Sequence, residues 1–369
     1  MRSMVEGYSP QAPSPVAITP PPHYVRSPSP SGGGFSKAAQ MSDQIPPPPL
    51  PEWAPHDAVW IGFPSHPELW LDDLAPARAE VAMFVHAVHA GGRGEKVILV
   101  AADDEAARAA RGQVGHAARI VVEPFGDIWL RDTGPIIGGD RAAHDFPFNG
   151  WGGKYELEGD DDIGHRLARR QHFHVEPHHW ILEGGAIDGD GTGLVVTTEQ
   201  CLLNPNRNPG LARFEVEALL RQDLGYTDVL WLGDGLLHDH TDGHVDNLAR
   251  FIAPNTLLIP EATDNDPNWR VYQDAATRAV RHGVDVVRFP SPGRVLDHDE
   301  EIVPASYMNF YIGNAAVVAP LYGQDNDQAA VEALRKLFPG REVVGIRADH
   351  ILTGGGSFHC ISQQIPSFA

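Results

Sequence analysis

From Trp53 to the C-terminal end the chain alternates short β-rich runs with amphipathic helices at a nearly constant interval. Apolar residues at helical spacing (Val81, Phe84, Val85, Val88) precede a strand at Val97–Val100. Further helices are expected over Asp103–Arg111, Asp160–His172, Arg213–Leu224, Asp266–His282 and Asp327–Phe338. Strands follow them at Arg119–Val122, Asp228–Leu232, Val284–Phe289 and Glu342–Ile346. The later helices begin near 160, 213, 266 and 327, at intervals of 53, 53 and 61 residues. A period of this size points to a repeated supersecondary unit. The chemically dense runs DIWLRDTGP, ILEGG, HTDGHVDN and GGGSFHC recur at a similar phase after a helix and a strand. Repeats arranged about an axis would bring such points together. Ordinary α/β alternation without an axis fits the same spacing, and both arrangements remain open on the pattern alone.

The first fifty residues stand outside this pattern. They hold 12 of the 32 prolines, in runs such as TPPPH and IPPPPLP. Proline fixes φ and removes the amide donor, so an extended, mobile tail is expected over 1–50, with one catalytic domain over 51–369. Met41 is the expected start of a shorter product, with residues before it an extension.

Charge and cysteine usage narrow the function classes. With 28 Lys+Arg against 49 Asp+Glu the formal charge is −21, which argues against nucleic acid and favours a small cationic substrate. No apolar run is long enough to span a membrane, and no secretory leader is visible, so a cytoplasmic location is expected. Two cysteines, Cys201 and Cys360, exclude a disulfide scaffold but leave room for a catalytic thiol.

Cys360 follows Gly354-Gly355-Gly356, a loop whose backbone can approach a ligand closely. A thiol there suits nucleophilic attack if its proton can be removed; a buried structural cysteine is the alternative. Cys201 has no such setting and reads as packing. If Val245 points into a strand core, His244 and Asp246 share the opposite face, giving a proton-transfer group beside a carboxylate. Trp129 and Trp151 could stack on a flat cation, near Asp132. Glu183 ends the apolar run Trp180-Ile181-Leu182 and needs a partner if buried. A different reading takes His238, His240 and His244 as a zinc cluster of a metallo-hydrolase, although Gly243 shifts the last histidine out of the usual register.

Taken together, DIWLRDTGP, FNGWGGKY, LEGG, TTEQCLLNPNRNP, TDGHVDN, SYMNFYIGN and GGGSFHCISQQIP resemble, in order, the agmatine deiminase family of the guanidine-modifying (pentein) superfamily. The bacterial peptidyl-arginine deiminases share much of this pattern. The resemblance implies an α/β fold: a five-bladed α/β propeller of ββαβ units about a pseudo-fivefold axis. It places the family's nucleophile on Cys360 and its general acid/base on His244. It places the guanidinium-binding carboxylates on Asp132 and Asp246, a further active-site carboxylate on Glu183, and pocket aromatics on Trp129 and Trp151. It implies a cysteine hydrolase without metal or other cofactor, acting on agmatine in putrescine biosynthesis, and a homodimer. An enzyme acting on arginine residues of peptides is the alternative. Ser357-Phe358 departs from the Asn-Ile common in the family.

Overall fold

The computed structural model describes residues 45–262 and 265–368, so the mobile tail expected before residue 45 and the start expected at Met41 lie outside the described residues. The strands form five sheets. Four have three strands each and share one order: an antiparallel hairpin, a helix, then a strand parallel to the hairpin's second strand. These units are Ile136–Ile137, Ala143–Asp145, helix Ile163–Arg170 and Val175–Pro177; then Ile187–Gly189, Leu194–Thr198, helix Arg213–Leu224 and Asp228–Leu232. The third runs Arg250–Ala253, Thr256–Glu261, helix Trp269–His282 and Asp285–Pro290. The fourth runs Tyr311–Ile312, Ala316–Leu321, helix Asp327–Leu337 and Glu342–Arg347.

The remaining sheet has four strands and joins the two ends of the described chain. Ser362–Pro366 pairs antiparallel with His56–Gly62, which runs parallel to Lys96–Ala101, itself parallel to Ala118–Val122. Helices Leu74–His89 and Asp104–Val114 make the crossovers. This sheet matches the ββαβ order in space but not in sequence, because the strand beside His56–Gly62 comes from the far end of the described chain.

The elements form for local reasons. In Leu74–His89 the residues Val81, Phe84, Val85 and Val88 are buried along one stripe, at the expected spacing. Asp103 caps the next helix by accepting the Ala106 amide at 2.8 Å. At the start of Arg213–Leu224 the Glu215 side chain accepts the Ala212 amide at 2.8 Å, half of a capping box. The parallel strand Lys96–Ala101 is covered on both faces and reads as an unbroken apolar run, Val97-Ile98-Leu99-Val100.

The observed helices begin at residues 163, 213, 269 and 327, intervals of 50, 56 and 58 residues, so the near-constant spacing expected from the sequence is present with individual starts shifted by three residues. The starts at 160 and 266 move to 163 and 269: Asp160 accepts the amide of Gly126 in a distant loop, and Asp266 accepts the Asn268 amide in the turn before its helix. The Pro-rich stretch is not free through to residue 50. Pro49 is buried, and with Leu50 it walls a cavity of about 50 Å³ shared with Glu52, Arg131 and His359. Phe358, the departure in the glycine loop, stacks on Phe84 with ring centroids 4.8 Å apart. No helix among the described residues is long and apolar enough to cross a membrane.

Candidate active site

Asp132, in the short helix Leu130–Thr133, meets His244 and Asp246, from a single loop far along the chain, at Gly185. A Cβ built on Gly185 would lie 2.7 Å from His244 Nδ1, 2.8 Å from Asp132 Oδ1 and 3.1 Å from Asp246 Oδ2. Only a residue without a side chain leaves that space open. All three polar side chains are buried, His244 and Asp246 completely.

His244 and Asp246 do not alternate on a strand, as the sequence suggests. Val245–Asn247 is one turn of 3₁₀ helix, with His244 as its N-cap. Val245 is fully buried, so the expected core contact holds, but a tight turn and not a pleat brings its neighbours into the site.

Cys360 follows the glycine loop and is 5% exposed. A Cβ on Gly356 would meet the Trp129 ring at 2.6 Å and Cys360 Sγ at 3.1 Å, which places the thiol and the indole against the same loop. Sγ lies 3.4 Å from Asp246 Oδ2 and 2.9 Å from Asn309 Nδ2. The Asn309 amide is oriented by the backbone, because its Oδ1 accepts the His359 and Cys360 amides at 3.1 and 3.2 Å. Its Nδ2 therefore donates, to Sγ, to Asn247 Oδ1 at 2.9 Å and to Asp246 Oδ2 at 3.3 Å.

Each acidic group is held by specific partners. Asp132 accepts Trp151 Nε1 at 2.9 Å and the Gly185 amide at 2.9 Å. Trp151 is thus a clamp on Asp132 as well as an aromatic wall. Trp129 donates its Nε1 to Asp127 at 2.8 Å and stacks with Trp70 at 6.4 Å. Asp246 Oδ2 accepts His359 Nδ1 at 2.8 Å, while its Oδ1 has no hydrogen-bond partner among the described residues. Glu183 Oε1 accepts Arg207 Nε at 2.7 Å, and its Oε2 is likewise unpartnered.

The charges tune one another. Burial raises the Cys360 thiol pKa well above its usual range, and the Asp246 and Asp132 carboxylates push it further. Burial alone would neutralise His244, yet Asp132, Cys201 and Glu183 together hold its proton well above the usual imidazole range. Asp132 is raised, first by burial and then by Asp246, against the pull of His244. Asp246 also feels burial most, but the hydrogen bond and charge of His359 bring its pKa below the usual carboxylate value.

Five residues of this machinery, His359, Glu52, Arg250, Arg207 and Asn309, carried no functional reading in the sequence. His359, one place before Cys360, bridges Asp246 to Glu52, whose Oε2 sits 2.8 Å from His359 Nε2 and 2.6 Å from Arg250. Both ring nitrogens thus face carboxylate oxygens. Arg207 ties Glu183 to Asp242 and to the Thr241 carbonyl. Asn309 and Arg207 stood inside the quoted runs SYMNFYIGN and NPNRNP, so those runs were the available signal.

The histidine run does not form a metal cluster. His238 Nδ1 lies 3.0 Å from the Ile302 carbonyl and His240 Nδ1 2.7 Å from the Tyr155 hydroxyl, both exposed, while His244 turns into the interior. Left-handed backbone at His238 and Asp242 splays these side chains apart.

The loop that leads into Trp129 and Asp132 carries a second titrating group. Asp160 Oδ1 accepts the Gly126 and Asp127 amides at 2.7 and 3.2 Å. Burial, aided by the Asp127 charge, raises Asp160 from 3.8 to about 7. The folded state therefore holds this proton more tightly than the unfolded chain. Its contribution to stability is complete below about pH 4 and is lost as pH rises through about 7. Asp160→Asn keeps the acceptor without the charge. Its melting temperature should gain on the parent protein from pH 4 to pH 7 and hold that gain above; a difference independent of pH would reject the protonated acid.

Comparisons with known proteins identify the family. The profile of the Porphyromonas-type peptidyl-arginine deiminase family matches residues 49–366. The agmatine deiminase of Stutzerimonas stutzeri (strain A1501) is 37% identical over 353 residues, covering 86% of this chain and 94% of that protein. Among solved structures, the agmatine deiminase of Enterococcus faecalis superimposes with a TM-score of 0.80 at 30% identity, over 89% of this chain and 100% of that one. A cysteine-to-serine variant of the C. jejuni agmatine deiminase with substrate bound gives a TM-score of 0.79 at 29% identity, over 87% and 96%.

Proposed function

The chain belongs to the Porphyromonas-type peptidyl-arginine deiminase family, and from that premise we propose that it hydrolyses the guanidinium group of agmatine, releasing ammonia and N-carbamoylputrescine. The observation that carries the reading is the convergence of Asp132, His244 and Asp246 on one buried point, with the Cys360 thiol against Asp246. In this reading the five ββαβ sheets are blades about a pseudo-fivefold axis within one catalytic domain, 51–369. The axis brings the acidic and nucleophilic segments together.

A guanidinium carbon is a poor electrophile, because its charge is spread over three nitrogens. Asp132 and the unpartnered Oδ1 of Asp246 accept its N–H groups and fix its plane; such charge-assisted bonds are roughly twice as strong as neutral ones. The same contacts hold the carbon within about 3–3.5 Å of sulfur. The bound cation offsets the two carboxylates that keep the thiol protonated, so substrate binding itself favours the thiolate. Asn309 Nδ2 donates to the developing sulfur charge.

The Cys360 S–H bond breaks, its proton passes to solvent, and the thiolate sulfur adds to the carbon and gives a tetrahedral adduct. His244, protonated in the resting site, gives its proton to one nitrogen, the C–N bond breaks, and ammonia leaves. The S-alkyl thiouronium that remains is attacked by water, whose proton His244 takes. The carbon–sulfur bond breaks, and the ureido product departs. Glu183, anchored by Arg207, keeps the imidazole oriented and charged. Trp129 and Trp151 wall the flat cation.

Agmatine carries a second cation and no carboxylate, which suits a chain of charge −21. Ammonia release measured side by side with agmatine, free arginine and an arginyl peptide tests the substrate. We expect kcat/KM for agmatine to exceed the others by at least about a hundredfold, roughly 3 kcal/mol of discrimination. Comparable turnover of the peptide would assign the chain to the peptidyl substrate instead.

A further inference from the structure

Imidazole, thiol and carboxylate do meet in this protein, but not in the histidine-rich loop. One ligand atom each of Glu183, Cys201 and His244 lie within 4.8 Å of one another, and all three residues are buried. Glu183 Oε2 and both nitrogens of His244 have no hydrogen-bond partner among the described residues. Arg207 occupies only Oε1 of the glutamate. Cys201 is a free thiol in the short helix Glu199–Leu202, whose first turn is capped by Thr198. The hydrolytic reaction described above gives this thiol no part.

We propose that Glu183, Cys201 and His244 form a binding site for a thiophilic divalent cation of the zinc or cadmium class. One sulfur, one imidazole and one carboxylate donor are the ligand types such ions take, with a fourth position left for water. Bonds of about 2.0–2.3 Å to a tetrahedral ion hold ligand atoms about 3.3–3.8 Å apart, so atoms already within 4.8 Å need to move only by about an ångström. On binding, the Cys201 S–H bond breaks as the metal–sulfur bond forms. His244 gives up its extra proton so that its lone pair can bind the metal. Both protons go to solvent. In the deiminase reading, a bound ion takes the imidazole lone pair with which His244 would accept a proton.

The chain has only two cysteines, which makes the test clean. In Cys360→Ser, any thiolate-to-metal absorption must come from Cys201. Titration of this variant with cadmium, followed in the ultraviolet and by calorimetry, should give one equivalent, a charge-transfer band and proton release. Cys201→Ser added to it should remove the band, and Glu183→Gln, which keeps the thiol, should weaken binding at least about tenfold. Absence of a band in Cys360→Ser, or a band seen only when Cys360 is present, would overturn the proposal by placing the metal on the other sulfur or nowhere. The readout is binding and not turnover, so the proposal can fail while the deiminase reading stands, and the reverse.

Discussion

Cys360→Ser is expected to lower ammonia release from agmatine by at least about a thousandfold, with the fold and guanidinium binding retained. The oxygen of serine fits the space of the sulfur, and the loop does not depend on it, because Asn309 Oδ1 holds the His359 and Cys360 amides and not the side chain. What changes is the nucleophile. A serine hydroxyl in this pocket finds no neutral imidazole to take its proton, since His244 is held protonated, with its Nδ1 3.6 Å from Asp132 Oδ1. Single-turnover assays with mass detection should find a covalent adduct on Cys360 in the parent protein and none in the variant. Turnover within tenfold of the parent would reject the assignment. The raised thiol pKa adds a second readout. Without substrate, alkylation of Cys360 should be slow at neutral pH and should accelerate only above the usual cysteine range.

Asp246→Asn is expected to lower kcat/KM by about a thousandfold or more and to destabilise the protein as well. The reason lies in the opposite demands on its two oxygens. His359 Nδ1 approaches Oδ2 at 2.8 Å and, with Glu52 on the far side of the ring, needs an acceptor there. An asparagine must therefore turn its carbonyl to His359, which leaves its NH₂ facing a guanidinium that has only donors to offer. Donor against donor loses the substrate contact and adds repulsion. Removing one partner from a buried charged pair also costs about 3–5 kcal/mol, because Arg250 and His359 then share fewer negative charges. Steady-state kinetics and thermal unfolding together separate the two effects. A lowered melting temperature with unchanged kcat/KM would show that Asp246 supports the fold without touching substrate.

The parts of this architecture that could be read in the sequence are those with a period. Helix Arg213–Leu224 and strand Asp228–Leu232 coincide with their expected limits, because each is long enough to show an apolar stripe or run. The hairpins were invisible for the opposite reason. Strands of two residues, such as Ile136–Ile137 and Tyr311–Ile312, contain no repeat to detect and exist only because a partner strand lies beside them. The candidate site divides in the same way. Cys360, His244, Asp132 and Glu183 stood out beside glycines in short runs. The counter-charges behind them did not, since Glu52 meets Arg250 and His359 across 198 and 307 residues of sequence. An ion pair over that separation leaves no local trace.

Gly185 carries a consequence that concerns access rather than reactivity. A single methyl group there would press on His244, Asp132 and Asp246 at once. An alanine at this position would act as a resident plug: every group that bonds or exchanges protons would survive, and the pocket would behave as though it were already occupied. The capacity of this protein to turn over depends as much on an atom it does not carry as on the sulfur that it does.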